Sequence, residues 1–246
     1  FFGYDGDGLP AFRASLGLPT AVTFDTTGNL FVFDEFPSRI RRVNTRGLIQ
    51  TVAGNGGYGR VPDGTPALES FFFSPRGLAF DKEGNLLVAN FGVDRVSMVT
   101  RSGEHREVAG STAGCCNDGR PAREALLSGP LGVALDAEGQ IYISHIGFDR
   151  IRRIGRDGII TTFAGTGVPG FSGDGGPARN ATLADPGGLA FDQQGNLYVA
   201  DNSNRRIRRI TREGVIETFA GGGQSGSTGD GGPARAASFR TPFGLA

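Results

Sequence analysis

The sequence predicts an all-β protein in which four-stranded antiparallel sheets follow one another as the blades of a β-propeller. Three observations support this prediction: a repeat of about 56 residues, short apolar strands between tight turns, and 42 glycines in 246 residues. This glycine share is more than twice the usual one and disfavours long helices. With 19 phenylalanines and 38% hydrophobic residues, the chain can still form a core, so we expect it to fold.

The repeat is carried by residues that favour turns. Aspartates that open a tight turn lie 56, 55 and 56 residues apart at Asp25, Asp81, Asp136 and Asp192. Asp-Gly pairs and prolines keep this rhythm, at Asp7, Asp63, Asp118, Asp174 and Asp230, and at Pro19, Pro75, Pro130, Pro186 and Pro242. The period is too long for ankyrin or leucine-rich repeats and suits a propeller blade with one long loop. We therefore expect a single domain over 1–246, with repeats at 19–74, 75–129, 130–185 and 186–241 and an incomplete fifth at 242–246.

The elements of one blade can be assigned in order from the repeat that begins at Pro186. Its predicted strands are 188–191, 197–200, 207–210 and 215–220. The first two are apolar on both faces, as expected for strands packed between blades, whereas the third mixes Arg with Ile and suits the rim. Gly195 provides the positive φ that the first turn needs. A glycine-rich stretch then leads to a predicted helical turn at 233–237 that begins with proline.

The segment 192–209 resembles the NHL repeat, whose members fold as β-propellers. It reads Asp-x-x-Gly-Asn-Leu-Tyr-Val-Ala-Asp and then Asn-x-Arg-Ile-Arg-Arg, and the flanking Gly-Asp-Gly-Gly-Pro-Ala and Thr-Phe-Ala-Gly resemble a long variant of bacterial secreted proteins. The resemblance covers essentially the whole chain and implies an extracellular or periplasmic location, but it specifies no activity. Because such propellers typically have six blades, we expect a fragment of a six-bladed ring, with a closed four-bladed ring as the alternative. An unpaired strand at 242–246 would then be available for self-assembly.

Charge and composition narrow the classes of function. The 25 basic and 25 acidic residues give a net charge of zero, which makes nucleic acid an unfavourable partner. No apolar run reaches 18 residues, so we expect no membrane insertion. The adjacent Cys115 and Cys116 are interpreted as incidental thiols or a vicinal disulfide, because the two histidines are too few to complete a metal site with them. The sequence leaves their redox state open.

Two sets of equivalent residues lie beside the loops that are expected to open on one face of the propeller, which is the usual binding face. The first set directly follows the second strand of each blade and consists of Asp34, Asn90, His145 and Asp201. The second directly precedes the third strand and consists of Arg39, Arg95, Arg150 and Arg206, with Arg41, Arg152 and Arg208 beyond it.

Each set has two interpretations. The first set is either a central site for Ca²⁺ or another divalent cation, as in propeller lactonases and lyases, with His145 as the catalytic residue, or a group of caps, each for the loop that follows its own strand. The arginines are either a collar for phosphate, carboxylate or RNA, or partners of aspartates and carbonyls in their own blade.

Two further motifs have a turn or packing interpretation. The Asp-Gly pairs lack a complete calcium-loop pattern and are expected to form turns. Residues 71–73, three consecutive phenylalanines, are either an exposed patch or inter-blade packing.

We therefore predict a non-catalytic binding scaffold with no required cofactor, within a larger secreted or cell-envelope protein. Its expected partners are proteins, peptides or glycans. The alternatives are a metal-dependent lyase or lactonase with its site near His145, and an RNA-binding NHL module.

Overall fold

The computed structural model describes residues 5–57, 59–111 and 118–245 and is all-β, as predicted. Cys115 and Cys116 lie outside the described residues. The internal contacts of the chain separate it into two compact units, Phe1–Ser111 and Thr112–Ala246. Each unit contains two antiparallel sheets whose four main strands are neighbours in chain order.

The first unit contains two four-stranded sheets, which we call the first and second blades. The first blade consists of β1 (Pro19–Phe24), β2 (Leu30–Asp34), β3 (Arg39–Val43) and β4 (Ile49–Ala53). The second consists of β5 (Pro75–Phe80), β6 (Leu86–Asn90), β7 (Arg95–Val99) and β8 (His105–Ala109). Single 3-10 turns lie at Ala11–Arg13, Ala67–Glu69 and Phe91–Val93.

The second unit contains the third and fourth blades. The third consists of β10 (Pro130–Leu135), β11 (Ile141–His145), β12 (Arg150–Ile154) and β13 (Ile159–Ala164), with the short β9 (Arg120–Pro121) paired to β13 at its outer edge. The fourth consists of β14 (Pro186–Phe191), β15 (Leu197–Asp201), β16 (Arg206–Ile210) and β17 (Ile216–Ala220). The 3-10 turns of the second unit are Ala122–Glu124, Ile146–Phe148, Ala178–Asn180 and Ala234–Ala236.

The strands of the fourth blade differ from their predicted bounds by one or two residues. β14 begins at Pro186, two residues early, because its first residue pairs with Asp201. β15 and β16 each gain one residue because Asp201 also pairs with Arg206. Beyond the fourth blade, the carbonyl of Phe243 accepts a hydrogen bond from the amide of Gly188 at 2.8 Å, although residues 241–245 form no strand.

The turns between the first two strands follow the predicted aspartate chemistry. Asp192 accepts hydrogen bonds from the amides of Gln194 and Asn196, and a second carboxylate oxygen accepts from the Asn196 side chain. Gly195 adopts φ +84°, a conformation that costs other residues strain.

Apolar side chains fill the space between the two blades of each unit. In the first unit, Phe72 is buried and lies edge-on to Phe33, with 6.5 Å between ring centroids, which confirms the packing interpretation for this phenylalanine. Its neighbour Phe73 is 43% exposed. In the second unit, Tyr142 of β11 contacts Phe163 and Phe191 edge-on, at 4.9 and 5.0 Å. Four-stranded meanders packed face to face are the blades of a β-propeller.

Candidate functional site

The residues of the first predicted set are the last residues of the second strands of the blades. Asp34, Asn90, His145 and Asp201 are all buried, with at most 3% of their surface exposed. Each pairs across the hairpin with the first residue of the third strand, which is the predicted arginine: Asp34 with Arg39, Asn90 with Arg95, His145 with Arg150 and Asp201 with Arg206. The structure thus places both sets at one end of each blade, inside the strands rather than beside them.

Three of these buried side chains fix the loop that enters their own blade. Asp34 accepts hydrogen bonds from the amides of Gly17 and Leu18, both at 2.8 Å. Asn90 accepts from the amide of Phe73 at 2.7 Å, and Asp201 from that of Ala184 at 2.8 Å. The expectation that they cap the loop after their own strand is therefore corrected: they hold the loop before the first strand, and Asp201 alone also binds the following loop, through Asn204.

His145 differs from its counterparts because neither ring nitrogen has a hydrogen-bond partner among the described residues. The side chain has no exposed surface and lies edge-on to Phe148, with 5.4 Å between centroids. Burial, together with the nearby Arg152 and Arg150, lowers the pKa of His145 to about 3. The imidazole of His145 is therefore neutral near pH 7. The fourth blade has a carboxylic acid, Asp201, at the equivalent position.

The arginines that begin the third strands bind the loop after the fourth strand. Arg39 donates to the carbonyls of Gly54 and Asn55, at 2.8 and 3.1 Å. Arg150 and Arg206 make the equivalent bonds, to the carbonyls of Thr166 and Gly222. Arg95 instead forms an ion pair with Glu107. These contacts are the backbone pairing that one interpretation predicted.

The arginines two residues further on are not part of an exposed collar, because Arg41, Arg152 and Arg208 have no exposed surface. They bind the aspartates of the Asp-Gly pairs: Arg41 to Asp7 at 2.9 Å, Arg152 to Asp118 at 3.1 Å and Arg208 to Asp174 at 2.6 Å. Hydroxyls of the fourth strand donate to the same carboxylates, from Thr51, Thr162 and Thr218. The Asp-Gly pairs thus do more than form turns, since their aspartates anchor the long loops to buried arginine side chains.

Arg208 also links the two sets of residues. It donates to Asp201 at 3.2 Å as well as to Asp174, and both Arg208 and Asp201 are fully buried. Burial raises the pKa of Asp201, and the hydrogen bonds from Ala184 and Asn204 and the charge of Arg208 oppose this. The pair therefore joins the strand end to the long loop within one blade.

The anchoring of the long loop predicts that two equivalent aspartates of the repeat contribute differently to the free energy of unfolding. Asp174 binds Arg208 and Thr218, whereas Asp230 is exposed and has no hydrogen bond with any described residue. Burial acts to raise the pKa of Asp174, but the bonds from Thr218 and Arg208 outweigh it and lower this pKa. We expect Asp174→Ala to reduce the free energy of unfolding by about 1–3 kcal/mol, and Asp230→Ala to change it by less than about 0.5 kcal/mol. Equal losses in urea unfolding at pH 7 would contradict the anchoring role.

The second blade departs from this pattern at three positions that the sequence analysis did not single out. Ser97 replaces the buried arginine, Glu107 replaces the threonine, and His105 replaces an isoleucine. Burial lowers the pKa of His105, although the charges of Asp63 and Glu107 oppose this. Aligning the four repeats by their period would have revealed these three substitutions in the sequence.

One interpretation of the first set expects ligands for a divalent cation, and the residues that the structure describes offer no such group. Among the residues it describes, no group of three or more His, Cys, Asp or Glu side chains is arranged to hold a metal ion. In the same part of the chain, no helix is long and apolar enough to cross a membrane.

The blades and their strand-end chemistry define an NHL-repeat β-propeller. The family model described as the Teneurin NHL domain matches residues 95–169 and 166–238, more than half of the chain, and the chain belongs to this family. It is 28% identical to mouse (Mus musculus) teneurin-1 over 232 residues and 30% identical to human (Homo sapiens) teneurin-4 over 233 residues. Each alignment covers 84% of this chain but only 8% of the teneurin. A shorter match, 41% over 97 residues, covers 38% of the chain and 9% of SUPPRESSOR OF QUENCHING 1, a chloroplastic protein of Arabidopsis thaliana.

Solved structures of similar fold include proteins with different functions. An auxiliary nutrient binding protein from Bacteroides ovatus aligns with a TM-score of 0.63 at 15% identity, over 94% of this chain and 54% of that one. A chain of the nidogen/laminin complex aligns at 0.61 and 17%, over 92% and 67%. Virginiamycin B lyase from Staphylococcus aureus aligns at 0.53 and 20%, over 82% and 55%. At these identities, the similarity concerns the fold alone.

Proposed function

We propose that this chain is a non-catalytic interaction scaffold that presents the loops at the strand ends of its blades to a protein, peptide or glycan. The observation that carries the proposal is the anchoring of the long loops, in which a buried arginine binds a partly exposed aspartate of the loop. A loop anchored in this way loses little conformational entropy when it binds a partner, so its exposed side chains are preorganised. Of the four residues considered for a central site, Asp34, Asn90 and Asp201 are engaged in holding loops.

The long loop between the third and fourth blades illustrates such a surface. Val168 and Phe171 are 61% and 43% exposed. The guanidinium of Arg206 lies over the Phe171 ring, 3.7 Å from its centroid, and that of Arg208 lies 4.8 Å away. An exposed aromatic ring in contact with two arginines combines residue types that are enriched at protein interfaces.

We also propose that the chain is part of a larger protein with an extracellular or periplasmic location. The chain corresponds to only 8% of the length of the teneurins, which supports a modular role. A chain of similar fold belongs to the nidogen/laminin complex, which is an assembly of proteins.

A comparison of two valine variants tests the interaction role. Val168 lies on the long loop, whereas Val215 is 37% exposed in the turn at the opposite end of the fourth blade. Ligands would be selected from a displayed random-peptide library and a glycan array, and their affinities measured. We expect Val168→Ser and Phe171→Ser to weaken binding about tenfold or more, and Val215→Ser to leave it unchanged.

The same protein preparation tests the alternatives. Quinupristin is a suitable test compound because a solved structure contains it with a catalytically inactive virginiamycin B lyase. Metal-dependent opening of quinupristin or of simple lactones that is lost in His145→Ala would overturn the scaffold proposal in favour of an enzyme. RNA binding with a steep dependence on salt would favour the RNA-binding module. Equal affinities of the Val168→Ser and Val215→Ser proteins for every selected ligand would remove the long loop from the binding surface.

A further inference from the structure

The second blade lacks the buried arginine of the other blades and has a cavity beside that position. The third residue of the third strand is Arg41, Arg152 or Arg208 in the other blades and Ser97 in the second. A cavity of about 20 Å³ adjoins Ser97, and Val61, His105 and Glu107 are among its lining residues. This volume accommodates about one water molecule.

The aspartate loop that receives the arginine in the first blade keeps its attachment to the fourth strand beside this cavity. The amide of Glu107 donates to Asp63 at 2.8 Å, just as the amide of Thr51 donates to Asp7 at 2.9 Å in the first blade. The aspartate loop is therefore in the same register in both blades. The second blade keeps the aspartate loop in place, but its residue 97 supplies no guanidinium to this loop.

The remaining walls of the cavity also offer acceptors. Val61 occupies the position whose carbonyl accepts the guanidinium elsewhere, as Asp5 does from Arg41 at 3.0 Å and Ser172 does from Arg208 at 3.1 Å. His105 is 94% buried, and its Nδ1 atom has no hydrogen-bond partner within the described residues. A donor entering the cavity would satisfy this atom.

Glu107 closes the cavity through two arginines with different surroundings. One oxygen pairs with Arg95, which is 4% exposed and belongs to the blade. The other pairs with Arg60 at 2.6 Å, and the Arg60 side chain is 60% exposed. An exposed ion pair contributes little stability, so Arg60 can be displaced at small cost, and its departure enlarges the cavity that it lines.

We propose that this cavity is a receptor for an arginine side chain of a protein partner, which replaces Arg60 on Glu107 and reaches the acceptors beside Ser97. The inference rests on the interaction role proposed above and names one side chain that the partner would present. Arginine is favoured over lysine because the acceptors of the other blades bind a planar guanidinium, which donates several hydrogen bonds in a fixed geometry.

Titration calorimetry with Nα-acetyl-arginine methylamide as the probe, and its lysine analogue as the control ligand, tests the proposal. We expect the wild-type protein to bind the arginine probe more tightly than the lysine one. Arg60→Ala removes the competing side chain, so we expect its affinity for the arginine probe to rise up to about fivefold. Arg46→Ala, an exposed arginine of the same unit, serves as the matched control and should bind like the wild type.

Two variants remove the receptor in different ways. Ser97→Arg restores the arginine of the other blades and fills the cavity from within, and Glu107→Thr restores their threonine and removes the carboxylate. We expect both to abolish binding of the arginine probe, while thermal unfolding verifies that they are folded. Probe binding that persists in both folded variants would overturn the proposal.

The absence of arginine binding by both the wild-type and the Arg60→Ala proteins would also overturn the receptor. This failure would leave the interaction role standing, since that role is measured on the Val168 loop of the other unit with independently selected ligands. Loss of the interaction role would instead appear as equal affinities of the Val168→Ser and Val215→Ser proteins for those ligands.

Discussion

Replacing Arg208 by methionine is expected to reduce the free energy of unfolding by about 3–5 kcal/mol. Methionine keeps much of the apolar stem but removes the charge and the donors that bind Asp201 and Asp174. Asp201 has no exposed surface, so its carboxylate would remain buried without a cation. Removing one member of a buried pair is costly for this reason, whereas replacing both members by apolar residues is often tolerated.

The control for this change is Arg212→Met, at a 75% exposed arginine whose closest carboxylate oxygen, on Glu138, is 3.9 Å away. We expect this variant to lose less than about 1 kcal/mol in urea unfolding. Burial already raises the pKa of Asp201, and without Arg208 this pKa should rise further. A carboxyl with a raised folded-state pKa stabilises the fold below its unfolded pKa, and this contribution is lost as pH rises. The penalty of Arg208→Met should therefore be smaller at pH 4.5 than at pH 7, and a pH-independent penalty no larger than that of Arg212→Met would refute the buried pair.

The blade architecture was predictable because its signals are local and repeated. The Asp192 turn needs only the chain from 192 to 196 to form its hydrogen bonds, and Gly195 supplies the positive φ within the same segment. Strand ends were less predictable because they depend on pairing between strands. Asp201 looks like a loop residue in the sequence, yet its position opposite both Pro186 and Arg206 extends three strands.

The choice between the two interpretations of the arginines could not be made from their own neighbourhood. Arg208 was either part of a surface collar or a partner of aspartates and carbonyls in its own blade, and full burial of an arginine is rare. The burial of Arg208 depends on a loop whose contacting residues lie 36 and 34 positions earlier, where the carbonyl of Ser172 and the carboxylate of Asp174 converge on it. The environment of a charged residue depends on such distant contacts, and the sequence of a single strand does not show them.

The second-blade receptor was missed for a related reason. Ser97 is unremarkable as a serine and becomes informative only beside the arginines at the same position of the other repeats. His145 was identified by such a comparison, since it stands where other blades carry Asp or Asn. The comparison identified the departure but not its environment, because the sequence does not show that both of its ring nitrogens are enclosed.

The environment of His145 predicts a loss of stability in mild acid. Its pKa is about 3 in the folded protein, and the unperturbed value is 6.5, because burial and the neighbouring Arg152 and Arg150 disfavour the imidazolium. As pH falls through 6.5, the unfolded chain takes up a proton that the folded protein excludes. The free energy of unfolding should therefore fall by about 1.4 kcal/mol for each pH unit from 6.5 down to about 3, below which both states are protonated. Between pH 7.5 and 5 this amounts to about 2 kcal/mol.

His145→Gln isolates this contribution, because it removes the titrating group while keeping a polar side chain. Urea unfolding at pH 7.5 and pH 5 should show that this variant loses about 2 kcal/mol less than the wild type over that interval. His105→Gln is the necessary comparison: the pKa of His105 is also lowered, so it contributes a loss of the same sign. Carboxylates titrate mainly below this interval and therefore affect both variants alike. If His145→Gln and the wild type lose the same stability, and the imidazole carbons of His145 titrate near pH 6.5 by NMR, the ring is exposed in solution. That result would support the alternative of a central catalytic or metal site at His145, since only an accessible imidazole can bind a metal or exchange a proton with a substrate.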